Sequence, residues 1–202
     1  MLNLGFLASN NGSSLRAVVG AIEAGTLAAR ACIVVSNRTG APALDFARAH
    51  GVQSACIPTA ADPERADERL ARTLLSAGAD LVVLSGYLRK LGPRTLAAFE
   101  GRILNIHPAL LPSHGGEGMY GRRVHEAVIA AGDRVSGASV HLVDGEYDHG
   151  PVVARAEAPV LPGDTPESLE RRVTALEPGL FVQTLQSVAA GSLRLDGLID
   201  RP

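Results

Sequence analysis

Leu81-Val82-Val83-Leu84, running into Ser85-Gly86, is the stretch that decides the fold. A continuous apolar run of this length, without polar alternation, is what a strand buried on both faces requires. On its N-terminal side, Pro63 to Ala77 places Leu70, Leu74 and Leu75 on one side of a helix that Gly78 stops. On its C-terminal side, Thr95 to Phe99 reads as a short helix and Ile103-Leu104-Asn105-Ile106 as the next strand. The same alternation extends back to the start of the chain. Leu2 to Leu7 is a strand, and Leu15, Val18, Val19 and Ile22 define a helix behind it. Cys32 to Val35 is β-branched strand, Pro42 to His50 a helix closed by Gly51, and Val52 to Ile57 a third strand. Strands and helices alternating on connections too long for hairpins predict an α/β fold, a doubly wound and mostly parallel sheet with right-handed crossovers.

The texture changes after Pro112. Ser113 to Gly118 is a loop and Val124 to Ala131 a helix. Ala138 to Val143 and Val152 to Val160 are strands on so short a connection that they must be antiparallel. One last helix starts with Asp164 or Thr165 as cap, Pro166 in its first turn, and Leu169, Val173, Leu176 and Leu180 at helical spacing. With no linker and no internal repeat, this C-terminal part extends the same sheet, and residues 1–202 form one domain.

Composition narrows the function classes. Hydrophobic residues make up 46% of the 202 and charged residues 20%, with a net charge of -2, which argues against disorder and against general affinity for nucleic acid. The two cysteines, Cys32 and Cys56, cannot build a disulfide framework and read as small core residues of a reducing compartment. The N-terminus lacks the pattern of a signal peptide and no apolar run is long enough to span a membrane, so a cytoplasmic protein is expected. Lys90 is the sole lysine among 19 basic residues; a Walker-type Gly-Lys-Ser/Thr loop is therefore absent, and a Schiff base could form only there. The histidines lie in neither helical His-x-x-x-His spacing nor a Cys/His cluster, so no metal is expected.

In open parallel sheets ligands bind beyond the carboxyl ends of the strands. Ser9 to Ser14, Ser85 to Leu91 and Asn105-Ile106-His107-Pro108 occupy such ends and are expected to converge. Asn11-Gly12-Ser13-Ser14 opens a helix and can receive an anion on its backbone amides, although an ordinary N-cap turn has the same composition. Asn105 and His107, two apart on a strand, share a face. An amide donor beside an imidazole suits a reaction in which a carbonyl becomes tetrahedral, while a capping Asn and a structural His are the alternative. Asp148, on the loop between the antiparallel strands, is a candidate partner that would favour imidazolium and raise the pKa of His107. As a loop aspartate it could equally be a turn former. The run Arg122-Arg123-Val124-His125-Glu126 opens a helix as a solvated face, with help from Arg122 or Arg123 in holding an anion as the alternative.

Asn105-Ile106-His107-Pro108-Ala109-Leu110-Leu111-Pro112 resembles the Asn-Ile-His-Pro-Ser-Leu-Leu-Pro signature of the folate-dependent formyltransferases, whose fold is Rossmann-like. Asn11 to Leu15, Val35-Ser36-Asn37 and Leu84 to Arg89 are similar to the branch that acts on glycinamide ribonucleotide, and the length matches that branch. The resemblance covers residues 1 to 195. It implies that Asn105, His107 and Asp148 are the catalytic trio, and that Gly12, Ser13 and Ser14 cradle a ribonucleotide phosphate while Glu177 accepts from the ribose hydroxyls. It further implies that Leu88, Arg89, Lys90 and Leu91, with Asn105 and the Asp144 to Asp148 loop, line a pterin pocket and that Arg65 meets the folate tail. Residues 1–112 would be the nucleotide-binding half and 113–202 the part completing the folate site. The donor implied is 10-formyltetrahydrofolate as co-substrate, the acceptor 5-phosphoribosylglycinamide, and the protein a monomer or homodimer without membrane or nucleic-acid partners. Three departures stand out: Ser14 in place of the usual Asn, His149 in place of Gly, and Gly115 to Gly121 in place of Tyr-Pro-Gly-Leu-His. A hydrolase releasing formate from the same donor, and a phosphate-ligand module without catalysis, are the competing readings.

Overall fold

A computed structural model describes residues 1–199 of the chain. Five parallel strands, β1 (Leu2–Leu7), β2 (Ala29–Ser36), β3 (Gln53–Cys56), β4 (Leu81–Leu84) and β5 (Ile103–His107), are followed by antiparallel β6 (Val135–Leu142) and β7 (Val152–Pro159). They form one seven-stranded sheet in the order β3-β2-β1-β4-β5-β6-β7. The reversal of strand order between β1 and β4 opens a crevice at the carboxyl ends of these two strands.

Both faces of the sheet are covered, which is why its central strands carry no polar alternation. Leu81 and Val83 face a core built with α1 (Ser13–Glu23), α2 (Pro42–Ala49) and the C-terminal helices. Val82 and Leu84 face a second core under α3 (Pro63–Ser76) and α4 (Pro93–Ala98). Leu70 and Leu74 of α3 are buried there, but Leu75 is 51% exposed: one residue beyond Leu74, it is rotated about 100° away from the sheet. α5 (Arg122–Ala131) begins two residues earlier than its apolar spacing implies. There Arg122 reaches Glu167 at 2.7 Å and Glu170 at 3.2 Å, so part of that basic face is paired.

The single last helix expected from the sequence is in fact two, α6 (Pro166–Thr174) and α7 (Glu177–Ala189). Pro178 explains the break, since in a continuous helix it would remove the bond to the Thr174 carbonyl and its ring would strike that carbonyl. The start of α6 is as read: the Thr165 side chain accepts from the Ser168 N–H and the Ser168 hydroxyl accepts from the Thr165 N–H. Among the described residues, no helix is long and apolar enough to cross a membrane.

Candidate active site

Two of the three strand-end segments, those after β1 and β4, are joined by hydrogen bonds. Ser9, after β1, accepts from the Leu88 N–H at 2.8 Å and donates to Asn37 after β2 at 2.7 Å. Ser85, after β4, accepts the Leu15 N–H at 2.9 Å and so caps α1 from outside its own segment. Gly12 precedes that helix with φ 68°, a left-handed conformation that glycine adopts without strain, and offers no side-chain cap. The amides of Ser13 and Ser14, first in the helix, have no acceptor within it and stand at its positive end. Ser14 itself is buried.

Asn105 and His107 project from β5 beside β6, and Asp148 closes on them from the β6–β7 loop with φ 53°. His107 Nδ1 lies 3.2 Å from Asp148 Oδ2, both side chains at most 10% exposed. The other ring nitrogen of His107, Nε2, is 2.8 Å from the carbonyl of His114. Asp148 Oδ2 also accepts the Gly116 N–H at 3.1 Å. Burial pushes the His107 pKa below its ordinary value, opposed by the Asp148 charge and the His114 carbonyl. That corrects the expected rise, because desolvation of the imidazolium outweighs the carboxylate beside it. Burial likewise pushes the Asp148 carboxyl up, but the His141 hydrogen bond, the His107 charge and the Gly116 amide together bring it below the usual carboxylate range.

His141 is the residue that sequence reasoning missed. It sits directly opposite Asn105 in the β5–β6 pairing, 3.1 Å from Asn105 Nδ2 and 3.4 Å from Asp148 Oδ1 through Nε2. Its Nδ1 donates to the Leu142 carbonyl at 2.8 Å, so Nε2 accepts from the Asn105 amide when the ring is neutral and donates to Asp148 Oδ1 when it is protonated. Opposed residues of an antiparallel pair share a face, so the register of Asn105 against β6 would have revealed it. His114 was passed over too, because what it offers His107 is a backbone carbonyl.

Glu177 is the first residue of α7, and burial together with the nearby Glu170 charge raises its pKa to about 7. Leu91 is buried, whereas Leu88 is 59% exposed and the Lys90 ammonium lies 5.3 Å from the Tyr147 ring centre. Arg89 is exposed. Asp144 accepts from Glu146 N–H and holds His149 at 2.8 Å, so the unusual His149 ties the loop to itself. Arg65 does not join the cluster; with Glu68, Arg69 and Arg72 it lines a separate cleft of about 570 Å³ on α3.

Residues 2–185 match the family described as Formyl transferase. The chain is 37% identical over 199 residues to the chloroplastic phosphoribosylglycinamide formyltransferase of Vigna unguiculata, covering 96% of this chain and 64% of that protein. It therefore spans just under two thirds of the plant relative's length. Against the phosphoribosylglycinamide formyltransferase of Escherichia coli (strain K12), identity is 34% over 196 residues, covering 96% of this chain and 90% of that one. The structure of glycinamide ribonucleotide transformylase 1 from Symbiobacterium toebii superposes with a TM-score of 0.88 at 35% identity, over 98% of this chain and 92% of that one. In sequence over nearly its whole length, and in the path of its backbone, the chain belongs to the formyl transferase family.

Proposed function

We propose that this chain transfers the formyl group of 10-formyltetrahydrofolate to the amine of 5-phosphoribosylglycinamide, giving formylglycinamide ribonucleotide and tetrahydrofolate in purine biosynthesis. The observation that carries the reading is the convergence of Asn105, His107, Asp148 and His141 at the end of β5, in a sheet whose β1 runs through a glycine turn into the N-terminus of α1. Residues 1–112 supply that anion turn and the β5 pair, and residues 113–202 supply Asp148 and close the folate side.

An aliphatic α-amine has a pKa of about 8, so a useful fraction is neutral near pH 7 and attacks the formyl carbon without a strong base. Attack places negative charge on the former carbonyl oxygen. One Asn105 N–H is committed to His141, and the other is the donor for that oxyanion. Both nitrogens of His107 face oxygens, so it acts by charge and proton rather than by bonding the oxyanion directly. The Nδ1 to Oδ2 contact is attractive only with a proton between the two atoms, so the dyad carries one. Burial weakens its hold on that proton, which suits delivery through Asp148 to the departing folate nitrogen as the carbon–nitrogen bond breaks. The proton shed by the attacking amine restores the dyad. Gly12, Ser13 and Ser14 take the phosphate, Glu177 the ribose hydroxyls, and Leu88 to Leu91 with the 144–148 loop the pterin.

The test is a spectrophotometric assay with a 10-formyl folate donor and several amines, 5-phosphoribosylglycinamide among them. Donor turnover should depend on that amine. Equal release of tetrahydrofolate with and without it would make the protein a hydrolase, and ribonucleotide binding without turnover would make it a binding module.

A further inference from the structure

The turn His114-Gly115-Gly116 grips the dyad at both ends. The His114 carbonyl meets His107 Nε2 at 2.8 Å, and the Gly116 N–H meets Asp148 Oδ2 at 3.1 Å. Between them Gly115 is pressed so close that a Cβ there would collide with Leu111 Cδ2 and lie 3.2 Å from Asp148 Cβ. His114 itself has φ 54°, a left-handed conformation that disfavours an L side chain and persists only when the surroundings enforce it. Its side chain shows what enforces it: Nε2 lies 2.6 Å from Asp133 Oδ2. Asp133 lies just past Gly132, the residue that caps α5, and its N–H donates to the Val128 carbonyl at 3.3 Å, so it is fixed to the end of a packed helix.

We propose that Asp133 is a positioning residue that, by holding the His114 imidazole, fixes the backbone turn on which the alignment of His107 and Asp148 depends. The proposal deepens the catalytic reading of the dyad and rests on it. A purely structural role fits poorly, because the Asp133 and His114 side chains are 40% and 18% exposed and ion pairs at that exposure add little to stability. The consequence should therefore fall on alignment rather than on folding. His107 is faced by Asp148, His141 and His114, with His125 also near enough to feel its charge, so a shifted turn alters the one neutral acceptor among charged or titratable neighbours.

Asp133→Ala, Asp133→Asn and His114→Gly test this by kcat, KM for both substrates, thermal midpoint and the ring nitrogen resonances of His107. Asp133→Ala is expected to lower kcat by about 10- to 100-fold, the cost of a small misplacement at a reacting centre, with KM essentially unchanged. Asp133→Asn keeps an acceptor oxygen for the imidazole and should retain most of kcat. His114→Gly keeps the carbonyl and suits the positive φ, so its thermal midpoint should not fall while kcat drops as in Asp133→Ala. The His107 resonances should move in Asp133→Ala and stay in Asp133→Asn. Wild-type kcat in Asp133→Ala, or unmoved His107 resonances in that variant, would overturn the proposal. If the wild-type protein transferred no formyl group, the catalytic reading would fail, and the resonances would still decide whether Asp133 positions His107.

Discussion

Asn105 Nδ2 and His141 Nε2 face each other at 3.1 Å across the β5–β6 pairing, and this contact orients the amide expected to meet the oxyanion. Since His141 Nδ1 is committed to the Leu142 carbonyl, the ring can accept from Asn105 only while Nε2 is unprotonated. His141→Leu frees the amide to rotate and should lower kcat about 10-fold or more with KM preserved. His141→Gln, with an acceptor oxygen at similar reach, should recover part of that loss; steady-state kinetics on the two variants decides it.

Asn105→Ala removes the donor proposed for the oxyanion. The expected fall in kcat is about 100- to 1000-fold. Phosphate-end binding should survive, so ribonucleotide affinity measured by calorimetry should stay near that of the unsubstituted protein.

Asp148→Asn and His107→Ala both break the dyad and should lower kcat by about 100-fold or more. Their pH profiles differ. The Asp148 charge favours the imidazolium, so its removal lowers the His107 pKa further, and the alkaline limb of kcat should move to lower pH in Asp148→Asn. A limb that stays in place would mean that the dyad does not carry the transferred proton.

Glu177 gives a stability test with a defined sign. Its folded pKa, raised to about 7, lies above the ordinary 4.5, so the native state binds the proton more tightly than the unfolded chain. The stability this contributes is fully present below about pH 4.5 and is lost as pH rises through 7. Glu177→Gln mimics the neutral carboxyl, so its thermal midpoint should match wild type near pH 5 and exceed it by ~3 °C at pH 8. Equal midpoints at both values would refute the burial argument.

The sheet was readable because Leu81 to Leu84 and Ile33 to Val35 are buried on both faces, which leaves uninterrupted apolar runs. That Asn105 and His107 stand side by side was readable for a different reason: the signature around His107 is carried by consecutive residues, Asn105 to Pro112, whereas Asp148 was a candidate only as an aspartate on the β6–β7 loop. His141 was not, because its place beside Asn105 follows from an antiparallel register that no local pattern encodes. Nor was the lowered His107 pKa, since desolvation depends on how β5, β6 and the 114–116 turn enclose the ring. The break between α6 and α7 was hidden by Leu169, Val173, Leu176 and Leu180, whose spacing runs on through Pro178 as though the helix did.

The pairing of β5 with the reversed strand β6 also orders events during synthesis. Asn105 and His107 leave the ribosome some forty residues before Asp148 does, and until β6 docks, the edge of β5 is open to water. A nascent chain that has built only β1 to β5 therefore still lacks Asp148 and His141, and the four-residue cluster is assembled only as the final third of the polypeptide folds back.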